Sequence, residues 1–241
     1  MSVHLVGGGW SESLSPAVYD LFVAEAAARA ASESFESEPR IAVIAVRAGD
    51  ADDHAAKLIQ AASGAGEFEP VITRLTHGDV ATTAALADVH GILIGGGLTP
   101  AYLESLAPIF GEIRRLVASG VPYLGFSAGA SIAAERALVG GWRIGSVEVS
   151  PEAGSEDLDE VTVEHGIGLL DISVDVHAVQ WGNLSRLIAA TEAGLVDGGV
   201  AIDENTAFVV GEGALRVVGA GSVWQVLSTD GGVRVSSLAA G

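Results

Sequence analysis

The sequence predicts an α/β protein: a mostly parallel β-sheet covered by helices on both faces, with antiparallel strands added towards the C-terminal end. Three observations predict it. Short β-branched runs alternate with helical stretches over the first 140 residues, and such alternation requires parallel strands joined by crossover helices. The runs are apolar throughout instead of at every second position, as strands buried on both faces must be. From residue 198 to 238 the pattern changes to short β runs separated by glycine pairs, which reads as hairpins.

Val3–Val6 is the first strand. An Ala-rich amphipathic helix over 15–32 follows, opened by Ser15-Pro16, a cap residue before proline at the first helical position. Ile41–Val46 is the second strand and 51–63 the second helix. Val71–Thr73 and Gly91–Ile94 are the third and fourth strands, with a helical stretch at 80–87 between them. Residues 100–119 are helical and lead into the fifth strand, Val121–Phe126, and then into a helix over 128–138. Residues 148–160 form an acidic loop interrupted by proline and glycine, and a helix covers 182–193. No internal repeat or long linker divides the chain, so residues 1–241 read as a single domain.

Composition excludes several functions. The formal charge is −19, whereas nucleic acid or an anionic membrane surface needs a basic footprint. No run reaches the ~20 apolar residues that span a bilayer. Cysteine is absent, which removes disulfides, thiolate metal sites and a cysteine nucleophile. No cofactor or metal site is expected. The N-terminus reads as a strand and not as a signal peptide, so a cytoplasmic location is expected.

Gly125-Phe126-Ser127-Ala128-Gly129 matches G-x-S-x-G between an apolar strand and an Ala-rich helix. A serine on that sharp turn lifts its hydroxyl clear of the sheet, close to free helix N–H groups. A glycine-rich turn with a capping serine is the competing reading. A nucleophilic serine needs a base, and the base needs an orienting carboxylate. Of the six histidines, His177 ends the run Ile172–Val176, and ligand crevices of open α/β sheets lie beyond strand C-termini. His4 falls inside the first strand and His54 on a surface helix. Asp203 and Glu204 both follow the run Val200–Ile202, and position does not choose between them. Gly95-Gly96-Gly97, after the fourth strand, reads as an oxyanion hole or a flexible turn; Gly96 or Gly97 would pair with the N–H of Ala128. Gly7-Gly8-Gly9 lacks the lysine of a phosphate-binding loop.

Together, Gly95–Gly97, Gly125–Ala130, Asp175-Val176-His177, Leu184–Leu187 and Ala201–Ala207 resemble the serine peptidases of the dipeptidase E and cyanophycinase family. The resemblance implies a class I glutamine amidotransferase-like, flavodoxin-like three-layer sandwich. It implies Ser127 as nucleophile, His177 as base and Glu204 as the third member, as in the cyanophycinase branch. The dipeptidase E branch uses an aspartate where this chain has Trp142. It further implies substrate contacts at Thr99, Asp175 and Arg186, a peptide or small amide substrate cleaved at a peptide or aspartyl isopeptide bond through an acyl-enzyme, and a homodimer. Two of the three arginines usual after the histidine are replaced here, by Trp181 and Asn183, which argues for a less charged substrate than cyanophycin. A non-catalytic binding protein on the same scaffold is the alternative.

Overall fold

The computed structural model describes residues 2–11, 15–33, 35, 37–211 and 213–241. The first half runs β1 (Val3–Val6), α1 (Ser15–Ser32), β2 (Arg40–Val46), α2 (Ala51–Ser63), β3 (Glu69–Leu75), β4 (Gly91–Ile94), α3 (Thr99–Leu106), α4 (Phe110–Ala118), β5 (Tyr123–Phe126) and α5 (Ala128–Ser131). The second half runs β6 (Arg136–Gly140), β7 (Arg143–Ile144), β8 (Val147–Glu148), β9 (Thr162–His165), β10 (Ser173–Val176), α6 (Leu184–Glu192), β11 (Gly198–Ile202), β12 (Thr206–Val210), β13 (Arg216–Gly219), β14 (Ser222–Thr229) and β15 (Gly232–Ala239).

The main sheet has the order β13-β12-β1-β5-β4-β2-β3. Strands β1, β5, β4, β2 and β3 are parallel, and β12 and β13 extend the β1 edge antiparallel. The uniform apolarity of β2 has a direct cause. Ile41, Val43 and Ala45 pack with Phe22 of α1 and Leu58 of α2, while Ala42, Ile44 and Val46 pack with Tyr102 and Leu106 of α3 and Ile113 of α4. Neither face of the strand meets water, so neither carries polar residues.

The expected α/β class, with its mostly parallel sheet, two helical faces and C-terminal antiparallel strands, is what the chain adopts. Local readings need five corrections. The tail does not join the main sheet as a whole: β10, β11, β14 and β15 form a second sheet, with β10 and β11 parallel. Its inner residues Val174, Val176, Val200 and Ile202 extend the main core, and Ala201 and Val226 pack with Leu187 and Ala190 of α6. The helix read over 128–138 stops at Ser131, and Arg136–Gly140 becomes β6, paired with β9; strand pairing overrides the helical preference of alanine. The helix read over 100–119 is divided by a 3₁₀ turn at Ala107–Ile109 that contains Pro108, whose ring and missing N–H disfavour a continuous α-helix. The stretch at 80–87 supplies only the 3₁₀ turn Thr83–Leu86. Helix α1 starts at Ser15 itself.

No helix among the described residues is long and apolar enough to cross a membrane. The C-terminal ends of β1, β4 and β5 lie side by side in the main sheet, and those of β10 and β11 lie together in the second. Ser127, His177 and Glu204 all follow such ends.

Candidate active site

Ser127 follows β5 directly and has φ 52° and ψ −111°, a conformation that costs a non-glycine residue energy. The motif glycines make the turn sterically feasible. A Cβ on Gly125 would lie 2.3 Å from the Gly129 carbonyl oxygen, and one on Gly129 would lie 2.5 Å from that of Ile94. The turn is locked by Ser127 N–H donating to the Val6 carbonyl at 2.9 Å and Gly129 N–H donating to that of Gly95 at 3.0 Å. The hydroxyl of Ser127 lies 2.9 Å from His177 Nε2.

His177 sits just beyond β10 with φ 53°, its N–H donating to the Gly7 carbonyl at 3.0 Å. Its Nδ1 lies 2.7 Å from Glu204 Oε1. With the carboxylate as acceptor, Nδ1 carries the proton and Nε2 is free to accept one from Ser127. Burial pushes the imidazole pKa below its ordinary value, opposed by the Glu204 hydrogen bond and charge. The lowered pKa favours the neutral ring that a general base requires. Trp181 stacks on the outer face of the ring, centroids 3.8 Å apart and planes 6° from parallel. Gly8 explains the first glycine run: with φ +92°, it leaves room where a Cβ would stand 2.1 Å from His177 Cε1.

The two acids left open by position divide cleanly. Asp203 is buried, and its carboxylate accepts from Val179 N–H (3.2 Å), Ser222 N–H (2.9 Å) and the Trp224 indole N–H (3.2 Å). It fixes the loop. Glu204, the next residue, faces the histidine, and its own N–H donates to Gln180 Oε1 at 2.9 Å.

The glycine run after β4 also divides. Gly96 N–H donates to His54 Nε2 at 2.9 Å, so the expectation of Gly96 as an oxyanion donor is corrected. The N–H groups of Gly97 and Ala128 have no acceptor among the described residues. They are the pair available to a developing oxyanion.

Three expected substrate contacts lie elsewhere. Arg186 is 2 % exposed and Asp175 is fully buried. Arg186 Nε and Nη2 donate to Asp175 Oδ2 and Oδ1 at 2.9 and 2.7 Å, and Nη1 donates to the carbonyls of Gly154 (2.6 Å) and Gly141 (3.2 Å). Burial opposes the guanidinium charge, and the charge and hydrogen bonds of Asp175 outweigh it, raising the Arg186 pKa. This is a structural ion pair that ties the 148–160 loop to β10, two residues before His177. Thr99 is buried as the first residue of α3, its N–H donating to Glu156 Oε2 at 2.8 Å. None of the three lines the cavity.

That cavity, about 890 Å³, opens over Ser127. Arg47, Asp50, His54 and Lys57 form one wall, Glu152, Glu156 and Asp157 of the acidic loop another, and the half-exposed Trp10 and Trp181 the rim. Burial raises the Glu156 pKa to about 6, against the lowering effect of the Thr99 N–H. The acidic loop is thus part of the site. His54, read as a surface residue, is buried on the same wall. No cluster of His, Asp or Glu fit to hold a metal occurs among the described residues.

Residues 35–218 match the sequence profile of peptidase family S51. The cyanophycinases of Synechococcus elongatus and Thermosynechococcus vestitus are each 37 % identical over 145 residues, which is 58 % of this chain and 42 % of theirs. The match therefore spans less than half the length of these curated relatives. Among solved structures, a peptidase from an acI-B1 Actinobacterium superposes with a TM-score of 0.64 at 18 % identity, covering 100 % of this chain and 94 % of the other. A putative peptidase E protein from Listeria monocytogenes gives 0.53 at 15 % identity, covering 91 % and 98 %. At these identities the structures speak for the fold alone.

Proposed function

The chain belongs to peptidase family S51, and from that membership we propose that it is a serine peptidase acting through Ser127, His177 and Glu204. One observation carries the reading: the continuous chain Ser127 Oγ–His177 Nε2 at 2.9 Å and His177 Nδ1–Glu204 Oε1 at 2.7 Å, on the floor of an open cavity. Ser127 Oγ attacks the carbonyl carbon of a peptide or isopeptide bond while its proton passes to His177 Nε2. Glu204 holds the imidazole in the required tautomer and stabilises the imidazolium. The oxyanion is met by the N–H groups of Ala128 and Gly97. His177 then returns its proton to the leaving amine, and an acyl-enzyme remains, which water activated by the same histidine hydrolyses.

The acidic wall of Glu152, Glu156 and Asp157 supports a substrate with a cationic group beside the scissile bond. The indole of Trp181, in place of the family's arginine, supports an apolar flank. The test is labelling by a fluorophosphonate and hydrolysis of a panel of α-peptides and β-aspartyl peptides, with cationic, neutral and acidic members. Labelling of the wild type and turnover of at least one peptide, both absent in Ser127→Ala, are expected. A wild type that is inert in both assays, yet binds a peptide as tightly as Ser127→Ala, would establish a binding protein instead.

A further inference from the structure

We propose that His54, Tyr102 and Arg47 are positioning residues that aim the Gly97 N–H at the oxyanion, an inference that rests on Ser127 being the nucleophile. They act through the peptide units on either side of the Gly96 Cα.

The peptide unit preceding Gly96 is held by its N–H, which donates to His54 Nε2 at 2.9 Å. The unit following Gly96 is held by its carbonyl, which accepts from the Tyr102 hydroxyl at 3.1 Å and from Arg47 Nη1 at 3.3 Å. This second unit is the one that carries the Gly97 N–H. In a trans peptide the N–H points opposite to the carbonyl, and the described chain contains no cis bond. Turning the carbonyl towards Tyr102 and Arg47 therefore turns the Gly97 N–H away from them. The Gly96 Cα backs directly onto the nucleophile, since a Cβ there would lie 2.7 Å from Ser127 Cβ. One Cα thus touches the nucleophile while its two peptide units are fixed by three side chains.

The three side chains are themselves held. Tyr102 is fully buried. Arg47 is anchored by a bidentate pair with Asp50, both contacts 2.9 Å. His54 is buried on α2, edge-on to Trp10 and Phe126. A backbone N–H can only donate, so the ring nitrogen it meets must be unprotonated. Burial and the Arg47 charge keep it so, lowering the His54 pKa to about 4. Anchoring a loop needs one such contact. Here Tyr102 and Arg47 hold the plane that carries the Gly97 N–H and His54 holds the plane before it, so the chain is fixed on both sides of the Gly96 Cα.

The test uses the fluorophosphonate probe, with inactivation resolved into a binding constant and a maximal rate, on the full chain. His54→Phe keeps the ring volume and removes the acceptor; His54→Gln restores an acceptor; Tyr102→Phe removes one donor and keeps the packing. Losing an oxyanion donor outright costs about 10²–10³ in rate, so mis-aiming it in His54→Phe is expected to lower the maximal rate by about 10–100-fold. Tyr102→Phe should lower it by about 3–10-fold on the same basis, the Arg47 donor remaining. The binding constant should move less than about threefold, because the probe's ground state carries no oxyanion. His54→Gln should recover most of the rate. A merely structural role would move both constants together, follow thermal stability and ignore the glutamine rescue; that result overturns the proposal. Folded His54→Phe and Tyr102→Phe proteins labelled at wild-type rates overturn it alone. A folded wild type that is not labelled at Ser127 overturns the reading on which it rests and the proposal with it.

Discussion

Replacing Arg186 by methionine separates a structural from a substrate-binding role for this residue. The pair with Asp175 has two contacts of 2.9 and 2.7 Å and is almost wholly excluded from water. Removing one partner of such a pair leaves an uncompensated buried charge and costs about 3–5 kcal/mol. Arg186→Met also strips the donor from the carbonyls of Gly141 and Gly154, so the cost belongs at the upper end of that range. Urea unfolding followed by tryptophan fluorescence measures it directly. The double substitution Asp175→Leu/Arg186→Met removes both charges and should recover at least about 2 kcal/mol of the loss, because apolar replacement of a whole buried pair is often near neutral. Activity in Arg186→Met should fall through the folded fraction and through displacement of His177, with no selective rise in KM. A solvent-facing substrate ligand would behave in the opposite way: a stability change within about 0.5 kcal/mol and a raised KM. That pattern would refute the structural assignment.

The division of labour between the adjacent acids predicts opposite phenotypes. Glu204→Gln should cut turnover by about 10⁴ through the wrong histidine tautomer with unfolding midpoints unchanged, whereas Asp203→Ala should cost about 2–4 kcal/mol in urea unfolding by leaving three N–H donors unpaired. Glu156 predicts a pH effect: its pKa is raised from 4.5 to about 6, so the folded state holds the proton more tightly than the unfolded. The stability this confers is present below pH 4.5 and is lost as pH rises through 6. Glu156→Gln should therefore be more stable than wild type by about 1–2 kcal/mol at pH 8 and equal to it near pH 4, measured by urea unfolding at the two pH values.

Local pattern made some parts of the site readable and hid others for physical reasons. Ser127 was readable because the elbow's constraint is contained in five consecutive residues. His177 was readable because an apolar run ending in histidine is rare in this chain. Asp203 and Glu204 were not separable, since both leave the same strand end and only the partners they meet distinguish them. Gly8 was opaque because its constraint is the ring of His177, far away in sequence. His54 and Arg186 carried a signal in helical phase. His54 shares its face with Leu58 and Ala61 on α2, and Arg186 adjoins Leu187 and shares its stripe with Ala190 on α6. A polar residue in phase with a buried stripe is partnered or functional. Asp175, between Val174 and Val176 in a fully buried strand, was the complementary half of the same signal. The helix read over 128–138 failed because alanine propensity is a weak prior against strand pairing.

The backbone adds an independent argument about where the fold has been shaped for chemistry. Among the described residues, six non-glycine positions have positive φ: Asp88, Ser127, Glu156, Asp157, His177 and Asn205. All but Asp88 are the proposed nucleophile, the proposed base, the residue after the proposed acid, or neighbours in the acidic wall. Such conformations cost about 1–3 kcal/mol each and persist only where the surroundings over-determine them. Here the bond from Ser127 N–H to Val6, the bond from His177 N–H to Gly7 and the bond from Asn205 N–H to Gly8 supply that determination. The strain has a testable sign. At an ordinary position glycine is less stable than alanine by about 0.5–1 kcal/mol, through chain entropy. At φ 52° and ψ −111° the order should reverse, because alanine retains the Cβ clash and glycine does not. Ser127→Gly is therefore expected to unfold at a higher urea concentration than Ser127→Ala, by about 1 kcal/mol in free energy, with both variants inactive. Equal midpoints, or a more stable alanine variant, would mean that the elbow carries no strain. The clustering of left-handed residues around the cavity would then owe nothing to the demands of catalysis.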